Sequence, residues 1–220
     1  MNKLISVIIP VKNGAKYLKE AIDSIKNQNM NTEIIVVDDC SSDDTVQIAQ
    51  KLGCKIIRHE VTKGQVIGKN NGLKEAKGEY VLFLDHDDIM TEGALKRLYD
   101  EFEPDTMAVE AKVQDFYSPE LTQNEKSTLK IKAEPYFGLF TGAILIKKEV
   151  FDKIGLFNEN IQAGEIIEWH SKMTQNGAKI KKIDFVSSKR RVHLNNYGRT
   201  HQNIEFKDYA ALLRAKLKNK

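Results

Sequence analysis

The hydrophobic residues of the first hundred positions follow two different spacings. Short, almost continuous apolar runs lie at residues 4–9, 33–39, 55–59 and 80–85. Between these runs, apolar residues recur every three or four positions, as at Leu18, Ile22 and Ile25. Continuous runs of this length predict strands that are buried on both faces, and the wider spacing predicts amphipathic helices.

This alternation predicts the fold class. Strand and helix taking turns at this spacing favour right-handed βαβ units, and therefore an α/β fold with helices on both faces of the sheet. We predict a single Rossmann-like domain with a mostly parallel central sheet. The pattern loosens beyond residue 105, where strands are predicted at 107–116 and 141–148 and a helix ends at Gly177. No linker separates residues 1–105 from residues 106–220, so we expect two halves of one domain.

Polar segments follow three of the predicted strands. They lie at residues 10–13, 38–42 and 85–88. Ligands of open α/β sheets bind outside the carboxyl ends of the strands, so these segments are expected to form one binding edge.

The third polar segment has the composition of a cation site. Asp85 and Asp87 are spaced Asp-x-Asp directly after YVLFL. Paired carboxylates suit Mg²⁺ or Mn²⁺, which keep some water ligands and take further oxygens from substrate phosphates. The same residues also fit an acidic surface turn, but their place at the binding edge favours the cation. His86 points to the opposite side of an extended backbone, and Asp88 is expected to cap the following turn.

Length and cysteine usage narrow the class of protein. With 220 residues and 41% hydrophobic content, the chain can bury one large core. No apolar run reaches the roughly 18 residues that a membrane span requires, and the N-terminal run fits a first strand better than a signal peptide. Cys40 and Cys54 have no histidine at zinc spacing, so we expect neither a disulfide framework nor a structural metal. A cytoplasmic protein is expected.

The net charge of +3 is unevenly distributed. Residues 187–220 contain nine Lys or Arg against two acidic residues, which gives +7 there and −4 over residues 1–186. A basic segment on an acidic body indicates a phosphate, another polyanion or an anionic lipid nearby, or else a solvated tail. We expect no nucleic acid partner, and contact with the inner face of a membrane stays open.

The usual nucleotide motifs are missing. No G-x-x-x-x-G-K-[ST] occurs, and the first strand does not lead into G-x-G-x-x-G, so P-loop NTPases and classical dinucleotide enzymes are excluded. Asp38 and Asp39 are nevertheless acceptors suited to a base N–H or to ribose hydroxyls. Lys69, in a predicted helix that contains Gly68 and Gly72, could reach a nucleotide. Those glycines also fit a purely structural role in close packing.

Four ordered blocks together resemble family 2 glycosyltransferases. They are SVIIPVKNGAKYLKEAIDSIKNQ, EIIVVDDCSSDDT, KGQVIGKNNGLKEAKGEYVLFLDHDD and FTGAILIKKEVFDKIGLFNEN, and they span residues 4–160. The resemblance implies the glycosyltransferase-A type of fold. It also implies that a nucleotide-sugar, usually a UDP-sugar, lies across the strand ends.

The resemblance assigns donor contacts residue by residue. The donor side would comprise the backbone around Pro10, Val11 and Lys12, together with Asn13, Asp38, Asp39 and Lys69. Asp85 and Asp87 would hold the diphosphate and a Mn²⁺ or Mg²⁺ ion. Lys12 stands where the family often has an aromatic residue, and Lys69 where arginine is common.

The resemblance further implies inversion at the anomeric carbon, with a carboxylate as general base. The base of the family usually lies in an acidic pair that opens a helix, and here Glu165 is followed by Ile166. Ile166 cannot accept a proton, so the base is expected to be Glu165, Glu168 or another group. Glu165 is favoured because it begins the helix. Trp169 fits either the core or a wall on which the acceptor stacks.

A late histidine often completes the site in transferases of this fold. His193 matches that position and is expected to bind the metal or contact the diphosphate, with His201 as a weaker alternative. Arg190 and Arg191 are expected to bond to phosphate from a loop that closes over the donor. The following helix, with Phe206 on its apolar face, is expected to pack on the body.

Two other functions stay open. A nucleotidyltransferase uses a similar sheet and metal, but normally has a glycine-rich basic loop after the first strand. A catalytically inactive sugar-nucleotide-binding module would explain Ile166. The acceptor could be a saccharide, a lipid-linked saccharide or a peptide, and neither the donor sugar nor the oligomeric state can be predicted.

Overall fold

The computed structural model describes residues 3–196, which are built around one eight-stranded sheet. The first half contains β1 (Ile5–Val11), α1 (Leu18–Lys26), β2 (Thr32–Asp38), α2 (Thr45–Lys51), β3 (Lys55–Arg58), α3 (Gln65–Glu75) and β4 (Tyr80–Phe83). All pairings among these four strands are parallel, as the sequence predicted.

The second half extends the sheet in a different way. It contains β5 (Ile89–Met90), α4 (Ala94–Asp100), β6 (Thr106–Tyr117), α5 (Gln123–Thr128), a 3-10 helix (Thr141–Ala143), β7 (Ile144–Lys147), α6 (Glu149–Ile154), α7 (Glu165–Gln175) and β8 (Lys179–Val192). Three pairings here are antiparallel, β4 with β7, β6 with β7 and β5 with β8, while β6 and β8 are parallel. The strand order is β3-β2-β1-β4-β7-β6-β8-β5. The sheet is therefore mixed, because β7 enters from a long excursion rather than from a helical crossover.

Hydrophobic cores lie on both faces of the sheet. One face packs against α1 and α4, and the other against α3, α6 and α7. Trp169 belongs to the second core. Its ring stacks on Phe151 with centroids 4.3 Å apart, and its Nε1 donates to the carbonyl oxygen of Gly155 at 2.8 Å. Trp169 is thus a fully buried core residue and not a wall for the acceptor.

Two glycines bring α3 close to the sheet. A Cβ atom at Gly72 would lie 2.4 Å from Cγ2 of Ile8, whereas a Cβ atom at Gly68 would lie 3.4 Å from Cβ of Pro10. The first distance is far below van der Waals contact, so Gly72 allows an approach that no side chain would permit. The close-packing interpretation is confirmed for this position.

None of the helices within residues 3–196 is both long enough and apolar enough to cross a bilayer. His201, the predicted helix that contains Phe206 and much of the basic segment lie outside the described residues.

Candidate active site

The acidic turn follows β4, the strand at which the parallel half of the sheet meets the mixed half. The peptide N–H of Asp88 donates to the carbonyl oxygen of Asp85 at 3.1 Å, which closes the turn. The carboxyl groups of Asp85, Asp87 and Asp88 therefore lie together at the expected binding edge.

His193 contacts this turn. Its Nε2 lies 2.9 Å from Oδ2 of Asp87, and the N–H of Asn195 donates to its Nδ1 at 3.2 Å. Burial alone would raise the pKa of Asp87, but the hydrogen bond from His193 and the charges of His86 and His193 lower it below the ordinary value. The structure thus brings together Asp87 and His193, which the sequence analysis assigned to one site.

The pKa of Asp85 is shifted in the opposite direction to that of Asp87. Burial raises its pKa, and the charges of Asp87 and Glu165 raise it further, while Lys69 opposes this effect. Within residues 3–196, the Asp85 carboxylate accepts no hydrogen bond. It is a half-buried anion without a hydrogen-bond or ion-pair partner among the described residues, an arrangement that favours binding of a cation.

Asp88 does not cap the turn, contrary to expectation. Its Oδ1 accepts a hydrogen bond from the backbone N–H of Arg191 at 2.9 Å, so it joins the turn to β8. Burial, together with the neighbouring charges of Asp87 and Asp85, raises the pKa of Asp88 well above its ordinary value.

Lys69 and Glu165 form a buried ion pair between α3 and α7. Lys69 Nζ lies 2.5 Å from Oε1 of Glu165, and each side chain is 4% exposed. Burial lowers the pKa of Lys69, but the charges of Glu165 and Asp85 outweigh it and leave the pKa raised. The sequence analysis predicted both residues in the site but assigned them separate roles. Their contact spans 96 positions.

Glu168 differs from Glu165 in the hydrogen bonding of its carboxylate oxygens. Its Oε1 pairs with Lys172 Nζ at 2.7 Å, whereas its Oε2 is buried without a hydrogen-bond partner among the described residues. Ile166 is buried in the core beside α6. Of the two glutamates, Glu168 is therefore the one with a completely buried oxygen that has no hydrogen-bond partner among the described residues.

The segment after β1 is only partly available to a ligand. Pro10 and Val11 are buried within β1, and the Val11 carbonyl oxygen accepts from the N–H of Asp39. Asn13 is exposed, but its Oδ1 accepts from the N–H of Ser42 at 2.9 Å. The contact of Pro10 and Val11 with a nucleoside was predicted for their backbone and stays a prediction, and the Asn13 amide is used to join two loops.

Lys12 is exposed and donates from Nζ to Oγ1 of Thr62 at 2.8 Å. It is the predicted donor residue of this segment whose charge stands at the surface. The contact with Thr62 places that charge beside the loop that precedes α3.

The prediction that Asp38 contacts the nucleoside is wrong. Its side chain is completely buried and accepts from the N–H of Ser41 at 3.3 Å. The Nε of Arg58, in the neighbouring strand β3, lies 3.4 Å from Asp38 Oδ2. The Asp38 carboxylate is hydrogen-bonded inside the protein, because Asp38 is the last residue of the buried strand β2.

Asp39 organises the loop before α3. Its Oδ1 contacts Nδ1 of His59 at 2.8 Å and accepts from the N–H of Lys63 at 2.7 Å, and its Oδ2 accepts from the N–H of Gly64 at 2.9 Å. Burial would raise the pKa of Asp39, but these bonds lower it below the ordinary value. The other ring nitrogen of His59, Nε2, lies 2.9 Å from Nδ2 of Asn71. Sequence reasoning missed His59, which is the last residue of the predicted strand 55–59 and directly follows β3 in the structure.

Arg191 does not lie on a loop, as predicted, but within β8. Its side chain is 2% exposed, its Nε donates to the carbonyl oxygen of Asp87 at 2.8 Å, and its Nη2 pairs with Glu20 at 2.5 Å. The guanidinium also packs over Tyr17. The predicted bond from Arg191 to phosphate is therefore wrong, because this side chain supports the acidic turn from within.

Arg190 also lies within β8 but is more accessible, with 34% of its side chain exposed. Its Nη1 lies 3.5 Å from Oδ1 of Asp115, and its guanidinium packs over Phe140. Burial lowers the pKa of Arg190, but the charges of Asp115, Tyr136 and Asp88 raise it overall. A positive charge thus stands beside the acidic turn.

The acidic turn fits a divalent cation. No three His, Cys, Asp or Glu side chains are already grouped as a complete metal site within residues 3–196. Asp85 and Asp87 nevertheless supply hard oxygen donors, and His193 supplies a nitrogen 2.9 Å from Asp87. The half-buried and unbonded Asp85 carboxylate is the kind of group that a cation would satisfy. This donor set suits Mn²⁺ or Mg²⁺ with further ligands from water and phosphate.

Comparison with known proteins gives a consistent result. The family model described as Glycosyl transferase family 2 matches residues 6–158. The uncharacterized glycosyltransferase RP339 of Rickettsia prowazekii is 35% identical over 178 residues, which cover 72% of this chain and 55% of the relative. The chain therefore spans about half of the length of that relative.

Solved structures match over nearly the whole chain. The crystal structure of Staphylococcus aureus TarS 1–349 in complex with UDP-GlcNAc has a TM-score of 0.70 and 26% identity, and the match covers 90% of this chain and 60% of that chain. The mannosyltransferase PcManGT from Pyrobaculum calidifontis, in complex with GDP-Man and Mn²⁺, has a TM-score of 0.70 at 20% identity and covers 97% of this chain and 65% of that chain. The second likeness concerns the fold alone.

Proposed function

Because this chain belongs to glycosyl transferase family 2, we propose that it moves a sugar from a UDP-sugar to an acceptor nucleophile, with inversion at the anomeric carbon and with a divalent cation. The observation that carries the proposal is the acidic turn after β4, where His193 Nε2 lies 2.9 Å from Asp87 and the Asp85 carboxylate has no hydrogen bond among the described residues. The mixed sheet with helices on both faces is the glycosyltransferase-A type of fold.

The donor class is proposed from the relatives and from the charge of the site. TarS 1–349, which is 26% identical, was crystallised with UDP-GlcNAc. Lys12 and Arg190 add positive charge at the exposed rim of the site, where a diphosphate would lie. The nucleoside would rest against the loops that Asn13 and Asp39 hold in place.

The cation would be held by Asp85, Asp87 and His193. When bound, Mn²⁺ or Mg²⁺ supplies neutralisation of the negative charge that develops on the leaving diphosphate. Arg191 and Asp88 hold the acidic turn against β8, so the ligands have a fixed support.

We assign the general base to Glu168 rather than to Glu165. The acceptor nucleophile would attack the anomeric carbon on the face opposite the diphosphate, and its proton would pass to Oε2 of Glu168. That oxygen is buried without a partner among the described residues, whereas Glu165 is bonded to the Lys69 ammonium. Glu168 is itself paired with Lys172, but through Oε1, so its Oε2 stays unbonded and can take up the proton.

The acceptor is proposed to contact the second half of the domain, from residue 106 onward, and residues 1–105 to hold the donor. Acceptor classes that fit are a saccharide, a lipid-linked saccharide and a peptide. The relative TarS is named a poly(ribitol-phosphate) β-N-acetylglucosaminyltransferase, and it is 39% identical over 119 residues.

The proposal is tested by UDP release from a panel of UDP-sugars, with Mn²⁺ present and after addition of EDTA. We expect release that stops with EDTA and returns with Mn²⁺, and that is lost in Asp85→Ala and Asp87→Ala. Full activity of either variant without metal would contradict the cation site. Binding of UDP without turnover on any acceptor would indicate an inactive binding module, and diphosphate release from a nucleoside triphosphate would indicate a nucleotidyltransferase.

A further inference from the structure

The ammonium of Lys69 has two carboxylates in its surroundings but bonds to one. Glu165 and Asp85 are the anions whose charges act on Lys69, and only Glu165 forms an ion pair with it, at 2.5 Å. The carboxylate of Asp85 forms neither a hydrogen bond nor an ion pair within residues 3–196. The position of the Lys69 ammonium therefore decides which of the two carboxylates stays unbonded.

Because Lys69 is buried, it matters which of the two carboxylates pairs with its ammonium. Lys69 is 3% exposed, so its charge cannot be solvated by water and must be balanced by a nearby anion. If the Glu165 carboxylate were absent, Asp85 would be the remaining one of the two anions near Lys69, and the ammonium would be expected to pair with it. An Asp85 carboxylate paired with an ammonium would bind a divalent cation less well, because the cation would have to displace Lys69 and would be repelled by it.

The start of α7 is fixed in place, which makes Glu165 a dependable partner. Ile166 and Trp169, on the first turn of the same helix, are both buried in the core. The helix cannot shift its first turn without disturbing that packing. Glu165 thus meets Lys69 from a rigid support, whereas Asp85 lies in a turn.

We propose that Glu165 is a positioning residue that holds Lys69 away from Asp85 and thereby keeps Asp85 free to bind the divalent cation. This inference rests on the cation site of the proposed function. It gives Glu165 a role distinct from that of a general base, because its action is on the cation affinity of another residue.

The test measures Mn²⁺ binding by electron paramagnetic resonance, with and without UDP and corrected for the Mn²⁺–UDP complex. Glu165→Met removes the carboxylate at similar length, and we expect its Mn²⁺ affinity to fall roughly tenfold or more, as is typical when an outer partner of a metal ligand is lost. In Lys69→Met/Glu165→Met no ammonium competes for Asp85. We expect this double variant to regain most of the lost affinity.

The control is Glu110→Met, which also removes a buried glutamate, one that pairs with His170 and Lys182 away from the acidic turn. Its Mn²⁺ affinity should equal that of the unaltered protein. If Glu165→Met fails to fold by circular dichroism, Glu165→Gln replaces it. There the uncharged amide holds the ammonium less strongly, and removal of Lys69 should again restore binding.

The outcomes separate the inference from the proposed function. Unaltered protein that binds no Mn²⁺, with or without UDP, would contradict the cation site and this inference with it. Unaltered protein that binds Mn²⁺ with the same affinity as the Glu165 variants would contradict the inference alone. A loss of affinity that Lys69→Met does not restore would also overturn it, since the ammonium would then not be the competitor.

Discussion

The imidazole Nε2 of His193 lies 2.9 Å from Oδ2 of Asp87, which joins the end of β8 to the turn after β4 across 106 positions of the chain. Nδ1 of the same ring accepts from the N–H of Asn195, so Nε2 is the nitrogen directed at the turn. The ring also packs against Tyr17, with centroids 5.1 Å apart. Three contacts therefore fix the orientation of one imidazole at the proposed cation site.

We expect His193→Ala to weaken Mn²⁺ binding by roughly tenfold or more, since it removes a nitrogen donor next to Asp87. UDP release should fall in parallel at limiting Mn²⁺ and recover partly at high Mn²⁺. The measurement is a Mn²⁺ titration of UDP release, together with direct Mn²⁺ binding. His170→Ala removes an imidazole that pairs with Glu110 elsewhere and should bind Mn²⁺ normally. Equal affinities of the two variants would contradict a ligand role for His193.

The parts of this site that sequence could predict are those that depend on local pattern. Asp85 and Asp87 follow a continuous apolar run, and the end of a strand in a parallel sheet is a known ligand position. The ion pair of Lys69 and Glu165 has no such signal, because it depends on how α3 and α7 meet through the core. Each residue was predicted for the site, but the bond between them was not.

Arg191 shows why a polar run was misjudged. KRRV was predicted to be a loop because it is strongly basic, yet it forms the end of a 14-residue strand. Arg191 is buried there because Glu20 and the Asp87 carbonyl satisfy its guanidinium, and both partners are distant in sequence. Asp38 was misjudged for a related reason, since the last residue of β2 is covered by the turn that follows it.

Asp88 should make stability fall as pH rises. Its pKa in the folded protein is raised well above 3.8, so the folded state binds more protons than the unfolded state from that value upward. Stability that the protonated carboxyl contributes is full below the unfolded pKa and is lost as pH rises toward the folded pKa. We therefore expect Asp88→Asn to raise Tm at pH 7, in EDTA, and to have little effect near pH 4.

Thermal unfolding of both proteins across this pH range checks the prediction, and Asp100→Asn, which alters an exposed pair with Lys96, serves as the control. The amide oxygen of asparagine can still accept from the Arg191 N–H, so the bond to β8 is kept. An equal Tm difference at pH 4 and pH 7 would show that ionisation of Asp88 is not the cause.

Two glycines of α3 should respond differently to the same substitution. In Gly72→Ala, the new Cβ would meet Cγ2 of Ile8 at 2.4 Å, and we expect a loss of about 1–3 kcal/mol from overpacking. In Gly68→Ala, the nearest atom is Cβ of Pro10 at 3.4 Å, and alanine favours the helix by about 1 kcal/mol, so the free energy of unfolding should stay equal or rise. Urea unfolding of both variants measures the difference, and equal destabilisation would contradict the packing argument.

Glu168 should be required for transfer but not for donor binding. In Glu168→Gln the amide cannot accept the acceptor's proton, and loss of a general base typically lowers kcat by roughly 10²–10⁴-fold. The Kd for UDP should stay within a few-fold, because the residue that pairs with the donor-side Lys69 is Glu165. Steady-state transfer kinetics and calorimetry with UDP separate the two effects, and Glu103→Gln, an exposed residue paired with Lys179, is the control. If Glu168→Gln retained kcat while UDP binding weakened, the base would have to be sought in another carboxylate, and the unbonded Oε2 would be left without a catalytic role.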